Sequence, residues 1–217
     1  MVEESQSRAG DWRPGPSALA LFPLESVLLP GMPLGLQVFE PRYLRLLEDV
    51  AEADDRFGVV LITRGSEVGG QDQRADVGVV AHIGRRRRIA DDRWLVEAQG
   101  GERFRVTRWL ADDPYPKAEV EPWPHLPGPG ADEALQPVRR SFVAFLALLT
   151  ELGTDTSTVV IDDDPLTAAY QVAALVPISS YDRYRVLAAE TVGDAAPALA
   201  DAVSGVVDIL RHRLGRL

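Results

Sequence analysis

The chain of 217 residues contains no cysteine. That absence excludes disulfides, thiolate nucleophiles, iron–sulfur clusters and cysteine-ligated zinc together, and it is compatible with a reducing cytoplasm. Lysine is nearly as scarce: Lys117 stands alone against 22 arginines, so any chemistry that needs a lysine must use that one residue. The three histidines, His82, His125 and His212, are scattered, and no pair has the spacing of a helical metal motif. A protein without cofactor or metal is expected. No apolar run escapes Pro, Gly or charge for long enough to cross a bilayer. The segment from Met1 to Pro16 is polar, with Glu3, Glu4 and Asp11, and lacks the apolar stretch of a signal peptide.

What is present has the balance of a folded globular chain, with 46% hydrophobic and 26% charged residues. The formal net charge is -10, with 16 basic against 21 acidic residues through Ala131 and 7 against 12 after it. A protein that binds phosphate backbones without sequence preference needs clustered cations to displace counterions, so neither half suits duplex DNA or bulk RNA. The one basic run, Arg85 to Arg88, reads as a solvated strand edge, because side chains of a strand alternate between faces and Asp91 and Asp92 stand near as partners.

Along the chain, residues 1–17 form an expected flexible tail. From 18 to 121, short apolar segments are separated by Gly, Asp and Pro, a mainly β pattern. Phe57-Gly58-Val59-Val60-Leu61-Ile62 has no polar side chain, as a strand covered on both faces requires. Trp94-Leu95-Val96 and Phe104-Arg105-Val106 flank Gly100-Gly101, which predicts a β-hairpin turning at the glycines. One helix is expected from Pro41 to about Ala53, with Tyr43, Leu44, Leu47 and Val50 on its buried face and Pro41 in its first turn.

The segment 122–131, with Pro122, Pro124, Pro127 and Pro129 among its residues, suits neither a strand ladder nor a helix start and marks a linker. Residues 132–217 are expected to form a helical subdomain. Leu135, Val138, Phe142, Phe145, Leu146 and Leu149 recur at helical steps between Asp132 and Leu152, where Pro137 is tolerable only near the first turn. Further helices are predicted after Asp164-Pro165, near Tyr181, and along Leu199, Val203, Val206, Leu210 and Leu214. Their common core implies a small bundle, and the fold class is α+β. Asp162-Asp163-Asp164 reads as an acidic helix start, since it lacks the alternating ligands and glycine of a calcium loop. His82 reads as a hydrogen-bonded or exposed strand residue.

The opening block Leu21-Phe22-Pro23-Leu24, Val27-Leu28-Leu29-Pro30-Gly31, Leu34 and Phe39-Glu40-Pro41-Arg42-Tyr43 closely resembles the N-terminal substrate-recognition domain of Lon protease. The likeness continues in order through Phe57 to Ile62, Gly65-Ser66-Glu67-Val68-Gly69, Asp76 to Ile83, Gly101-Glu102-Arg103-Phe104-Arg105-Val106, and Pro114-Tyr115-Pro116-Lys117-Ala118-Glu119-Val120. Where many members show Asp-Gly-Arg in a turn, this chain has Asp91-Asp92-Arg93. The helical part agrees loosely, through Asp182 to Glu190 and the helix after it. The resemblance implies a PUA-like pseudobarrel followed by helices, and kinship with stand-alone bacterial Lon-domain proteins and, more distantly, with the Lon-like part of cereblon.

The same resemblance implies a non-catalytic module that recognises unfolded or exposed apolar polypeptide. Lys117 lies between Pro116 and Ala118, which rules out a P-loop, and it falls in the recognition segment rather than in a Ser-Lys peptidase fold. A recognition domain without the ATPase and peptidase modules is therefore the expectation. An ATP-independent hydrolase and a PUA-like RNA-binding module stand as alternatives. The candidate polypeptide-binding residues carried over from the family motif are Phe39, Glu40, Pro41, Arg42, Tyr43 and Arg103. Glu40, Arg42 and Tyr43 have a second reading, as a partly buried charged pair beside an aromatic ring that locks the helix to the β part. A guest chain has two physical routes: pairing with an exposed strand edge, or placing apolar side chains in a groove between the β part and the helices. Self-association would raise the strength of a weak single module by avidity.

Overall fold

A computed structural model of the protein describes residues 18–64, 73–90 and 92–215. The tail 1–17, the Gly65–Gly69 turn and Asp91 lie outside the described residues. The chain divides after Pro124 into two compact units.

The first unit contains β1 (Leu19–Leu24), β2 (Pro33–Val38), α1 (Pro41–Ala51), β3 (Arg56–Arg64), β4 (Gln73–Ala90), β5 (Arg93–Trp109) and β6 (Lys117–Pro122). The strands form one sheet in the order β2-β5-β4-β3-β1-β6, and a further β5–β6 pairing closes it into a pseudobarrel. Closure is possible because β5 is long enough to serve two neighbours. Its first half pairs with β2, from Trp94 opposite Val38 to Gln99 opposite Pro33, and its second half with β6, from Phe104 opposite Pro122 to Trp109 opposite Ala118. β1 runs parallel to β3, and the other pairings are antiparallel.

Inside the closed sheet, Leu21, Val60, Val80, Phe104 and Ala118 form one buried cluster. Because strand side chains alternate, the neighbours Phe22, Phe57 and Val59 point to the other face and are buried there as well. The run Phe57 to Ile62 is thus apolar throughout because β3 is covered on both faces. In α1, Tyr43, Leu46, Leu47 and Val50 are the buried residues, and Pro41 occupies the first turn, where its missing N–H costs little. Leu44, expected on the buried face, is only half-buried, and Leu46 takes its place.

The hairpin expected at Gly100-Gly101 is not there. Both glycines lie within the uninterrupted strand β5, and the turn joining β4 to β5 falls between the paired residues Ala90 and Arg93. The glycines answer to close packing instead of a turn. A Cβ on Gly100 would stand 2.4 Å from the Leu29 carbonyl oxygen, and one on Gly101 would stand 2.3 Å from Nε2 of His82. The loop before β2 is held there by Gly31 N–H donating to the Gly100 carbonyl and Gly100 N–H donating to the Met32 carbonyl, each at 2.8 Å.

The second unit comprises α2 (Ala131–Glu151), α3 (Pro165–Leu175), α4 (Ser180–Ala188) and α5 (Val192–Leu214). α2 packs along α5, and α3 and α4 also contact α5, around Leu135, Val138, Phe142, Val172, Val186, Leu199 and Val203. Pro137 sits in the second turn of α2, deeper than the first turn expected for it. Its ring removes one intrahelical N–H, and the buried Ala131 and Leu135 hold the helix end regardless. The apolar spacing from Leu199 onward marks only the later turns of α5; the helix begins at Val192 under a capping box of Thr191 and Asp194. Within the proline-rich linker, Leu126 makes a single parallel bridge to Thr191, and Pro122 is the last residue of β6.

Candidate polypeptide-binding groove

At the junction of β1, β2 and α1 a depression of about 200 Å³ is lined by Phe22, Leu24, Gly35, Leu36, Gln37, Val38, Phe39, Glu40 and Tyr43. One wall is a layered stack. The Phe22 and Tyr43 rings lie 4.0 Å apart at 19°, and the Arg42 guanidinium covers the other side of Tyr43 at 4.5 Å. Glu40 fixes that guanidinium, its Oε2 accepting from Arg42 Nε at 3.1 Å with both side chains largely shielded. The second wall is β2, whose Leu36 and Val38 share the inward face, and at its end Phe39 remains 51% exposed.

The structure therefore gathers Phe39, Glu40 and Tyr43 at one groove. Pro41 begins α1, and Arg42 packs behind Tyr43. Tyr43 is only 3% exposed, so it is wall and not surface. Arg103 is elsewhere, on β5 opposite Val79. It is the charged residue found buried among the described residues, at 4% exposure. Its Nε donates to the Trp123 carbonyl at 3.0 Å, while Trp123 N–H donates to the Arg103 carbonyl, also at 3.0 Å. Arg103 ties the end of the first unit to its barrel.

Phe22, Leu24, Gly35, Leu36, Gln37 and Val38 were absent from the motif-based candidates. The alternation of Leu34, Leu36 and Val38 is the signal that could have found β2.

Several other side chains singled out in the sequence have partners. Lys117 Nζ donates to the Asp113 carbonyl at 2.7 Å and lies 4.5 Å from the Tyr115 ring centre. His82 Nε2 is 2.8 Å from Glu102 Oε2 on the neighbouring strand. Asp164 caps α3: its carboxylate accepts from Thr167 N–H at 2.8 Å, which holds it below the usual carboxylate range. In the arginine run, Arg86 pairs with Asp55 at 2.9 Å, and Arg88 Nε donates to the Ala90 carbonyl. Among the described residues no group of three or more His, Asp and Glu could hold a metal ion, and no helix is long and apolar enough to cross a membrane.

A closed mixed sheet followed by a helical unit defines an α+β chain of the Lon N-terminal type. The chain belongs to the family of the ATP-dependent protease La (Lon) substrate-binding domain, whose model matches residues 18–201. The match runs well into α5, so the helices belong to the family unit although their motifs agree loosely. The chain is 27% identical over 199 residues to Lon protease 2 of Herpetosiphon aurantiacus, covering 88% of this chain and 24% of that protein. It is 33% identical over 108 residues to Lon protease 2 of Myxococcus xanthus, covering 49% and 13%. It thus spans about a quarter or less of these curated relatives. A crystal structure of a Lon N-terminal domain protein from Xanthomonas campestris matches with a TM-score of 0.61 at 29% identity, covering 85% of this chain and 98% of that one.

Proposed function

We propose that this chain is a non-catalytic recognition module that binds polypeptide, through unfolded segments or exposed apolar side chains. The groove carries this reading. At about 200 Å³ it is smaller than the roughly 300–1,000 Å³ of a site that encloses a small molecule, yet it has room for an apolar side chain or two. Its walls are mainly apolar and aromatic, and the charged group at its rim, Glu40, is bonded to Arg42 behind Tyr43. Such a pair holds shape; it does not leave a base poised beside a nucleophile. Membership in a substrate-binding family supports the same reading. A single small groove binds weakly, and self-association would supply strength through effective concentration. The cysteine-free composition suits a reducing cytoplasm as the place where such segments are met.

The test is fluorescence anisotropy of a labelled, permanently unfolded polypeptide titrated with the protein in the absence of ATP, with the same samples then checked for cleavage. Saturable binding with the polypeptide intact is expected. Cleavage that copurifies with the protein would overturn the non-catalytic reading, and no binding at high concentration would overturn recognition of unfolded chains.

A further inference from the structure

We propose that an extended polypeptide segment joins β2 as an added strand, with an apolar side chain in the groove and an acidic one beside Arg93. This rests on the polypeptide-binding reading above and specifies how that reading works.

The register of β2 leaves its outer edge open. Gly100 N–H donates to the Met32 carbonyl, which makes Pro33 and Gln99 a pair without mutual hydrogen bonds. Antiparallel pairs alternate, so Leu34, Leu36 and Val38 bond to β5, while the N–H and C=O of Gly35 and Gln37 point away from it. Pro33, which has no N–H to offer, falls at an outward position, where it interrupts no ladder bond. Gly35 and Gln37 are exposed, and among the described residues β2 pairs with no strand other than β5.

The distal half of β4, Gly84 to Ala90, also runs beyond its neighbour, because the β3 pairing stops at Arg56 opposite His82. That stretch carries Arg85 to Arg88, and charge along an edge discourages pairing with another chain. β2 carries no charge. A Cβ on Gly35 would meet nothing within 4 Å, and the residue has no positive φ, so neither packing nor backbone geometry in this chain calls for glycine there. Glycine in a strand suits the close approach of another backbone.

The flanking chemistry fits one guest. Side chains of an added strand would alternate between the groove side, shared with Leu36 and Val38, and the opposite face, shared with Gly35 and Gln37. On that opposite face Arg93 reaches to 5.7 Å from the Phe39 ring centre. Among the described residues no carboxylate lies within ion-pair distance of it. Cross-strand register puts Arg85, Glu97 and Gly35 in one row and Arg87, Leu95 and Gln37 in the next, leaving positive charge in excess. An acidic residue at the Phe39 end of the guest would answer it.

The test titrates the full chain into a labelled peptide that alternates leucine with threonine and ends in aspartate. Two further versions carry backbone N-methyl groups, one on the leucines and one on the threonines. An added strand bonds through every second residue, so one version should bind at least about tenfold more weakly and the other within about twofold of the parent. Gly35→Pro removes an outward N–H and leaves the β5 ladder, and should weaken the parent peptide by a similar factor with an unchanged thermal midpoint. Arg93→Glu should weaken the aspartate peptide and not a version ending in alanine. Equal binding of the two methylated peptides would overturn strand addition, in unaltered protein and so independently of how Gly35→Pro folds. Binding of the unfolded polypeptide but not the parent peptide would overturn it too, leaving the recognition reading intact. Binding of neither would remove both.

Discussion

Replacing Gly100 by alanine distinguishes a glycine required by packing from one that serves a turn. The added Cβ would stand 2.4 Å from the Leu29 carbonyl oxygen and 3.2 Å from both the Leu29 carbonyl carbon and Leu28 Cγ. The obstacle is backbone, and the two 2.8 Å hydrogen bonds between Gly100 and the loop at Gly31 and Met32 pin it in place. Relief needs a shift of roughly 1 Å, which strains the core by about 1–3 kcal/mol and weakens one of those bonds by about another 1 kcal/mol. Together the cost is about 2–4 kcal/mol. Gly35→Ala is the matched control in the same sheet: its Cβ enters open space, and relief of glycine's excess entropy should stabilise by about 0.5–1 kcal/mol. Urea unfolding followed by tryptophan fluorescence reads the right unit, because Trp12, Trp94, Trp109 and Trp123 all precede His125. With a slope of about 2 kcal/mol per molar urea, the Gly100→Ala midpoint should fall by about 1–2 M, while that of Gly35→Ala stays or rises slightly. Equal midpoints for the two variants would show that Gly100 has the tolerance of a turn, and the packing account would be wrong.

Three further variants test individual side chains. The buried Tyr115 hydroxyl donates to Asp49 at 2.6 Å; burial first, then that hydrogen bond, raises its pKa above the ordinary value near 10. The folded state therefore holds this proton more tightly than the unfolded chain, so the contribution is complete below about pH 10 and is lost above it. Tyr115→Phe should cost about 1 kcal/mol at neutral pH and flatten the alkaline fall in urea midpoint; an unchanged alkaline slope would sink the assignment. Phe39→Ala should weaken polypeptide binding at least about threefold with a stability change under about 1 kcal/mol, whereas Arg103→Met should lower stability by about 2 kcal/mol or more, read by anisotropy and urea unfolding side by side. The opposite pattern would show that the two motif residues have been assigned the wrong roles.

Much of the fold was legible because its signals are local. Phe57 to Ile62 is continuous and apolar in the sequence for the same reason that β3 is central in space, and the helix over Pro41 to Ala51 shows in the spacing of Tyr43, Leu47 and Val50. The Gly100-Gly101 pair was misread because one dipeptide serves two purposes. The atoms that demand glycine there belong to Leu29 and His82, remote in sequence, so no local pattern separates a turn from a close approach. α5 fails differently. Its start was available in Thr191 and Asp194, three residues apart, but Pro197 hides the continuity between that cap and the apolar positions from Leu199.

The candidate site was half legible, and the division has a physical cause. Phe39 to Tyr43 is a contiguous block in which Glu40 bonds Arg42 and Arg42 covers Tyr43, so a sequence motif captures it. Phe22 and Leu24 come from β1, and the open edge of β2 exists only because β5 occupies the other side in one particular register. A slip of one residue would turn Gly35 and Gln37 toward β5 and Leu36 toward solvent, with the same sequence. Motif membership alone therefore does not separate roles. Arg103 and Phe39 come from the same family pattern, yet one is a buried strap on the Trp123 carbonyl and the other stands half exposed at the mouth of the groove. What distinguishes them is exposure, which pairing and packing decide. The backbone groups of Gly35 and Gln37 carry no side-chain signature at all, so a site built from an unpaired strand edge becomes visible only once the ladder on its other side is known.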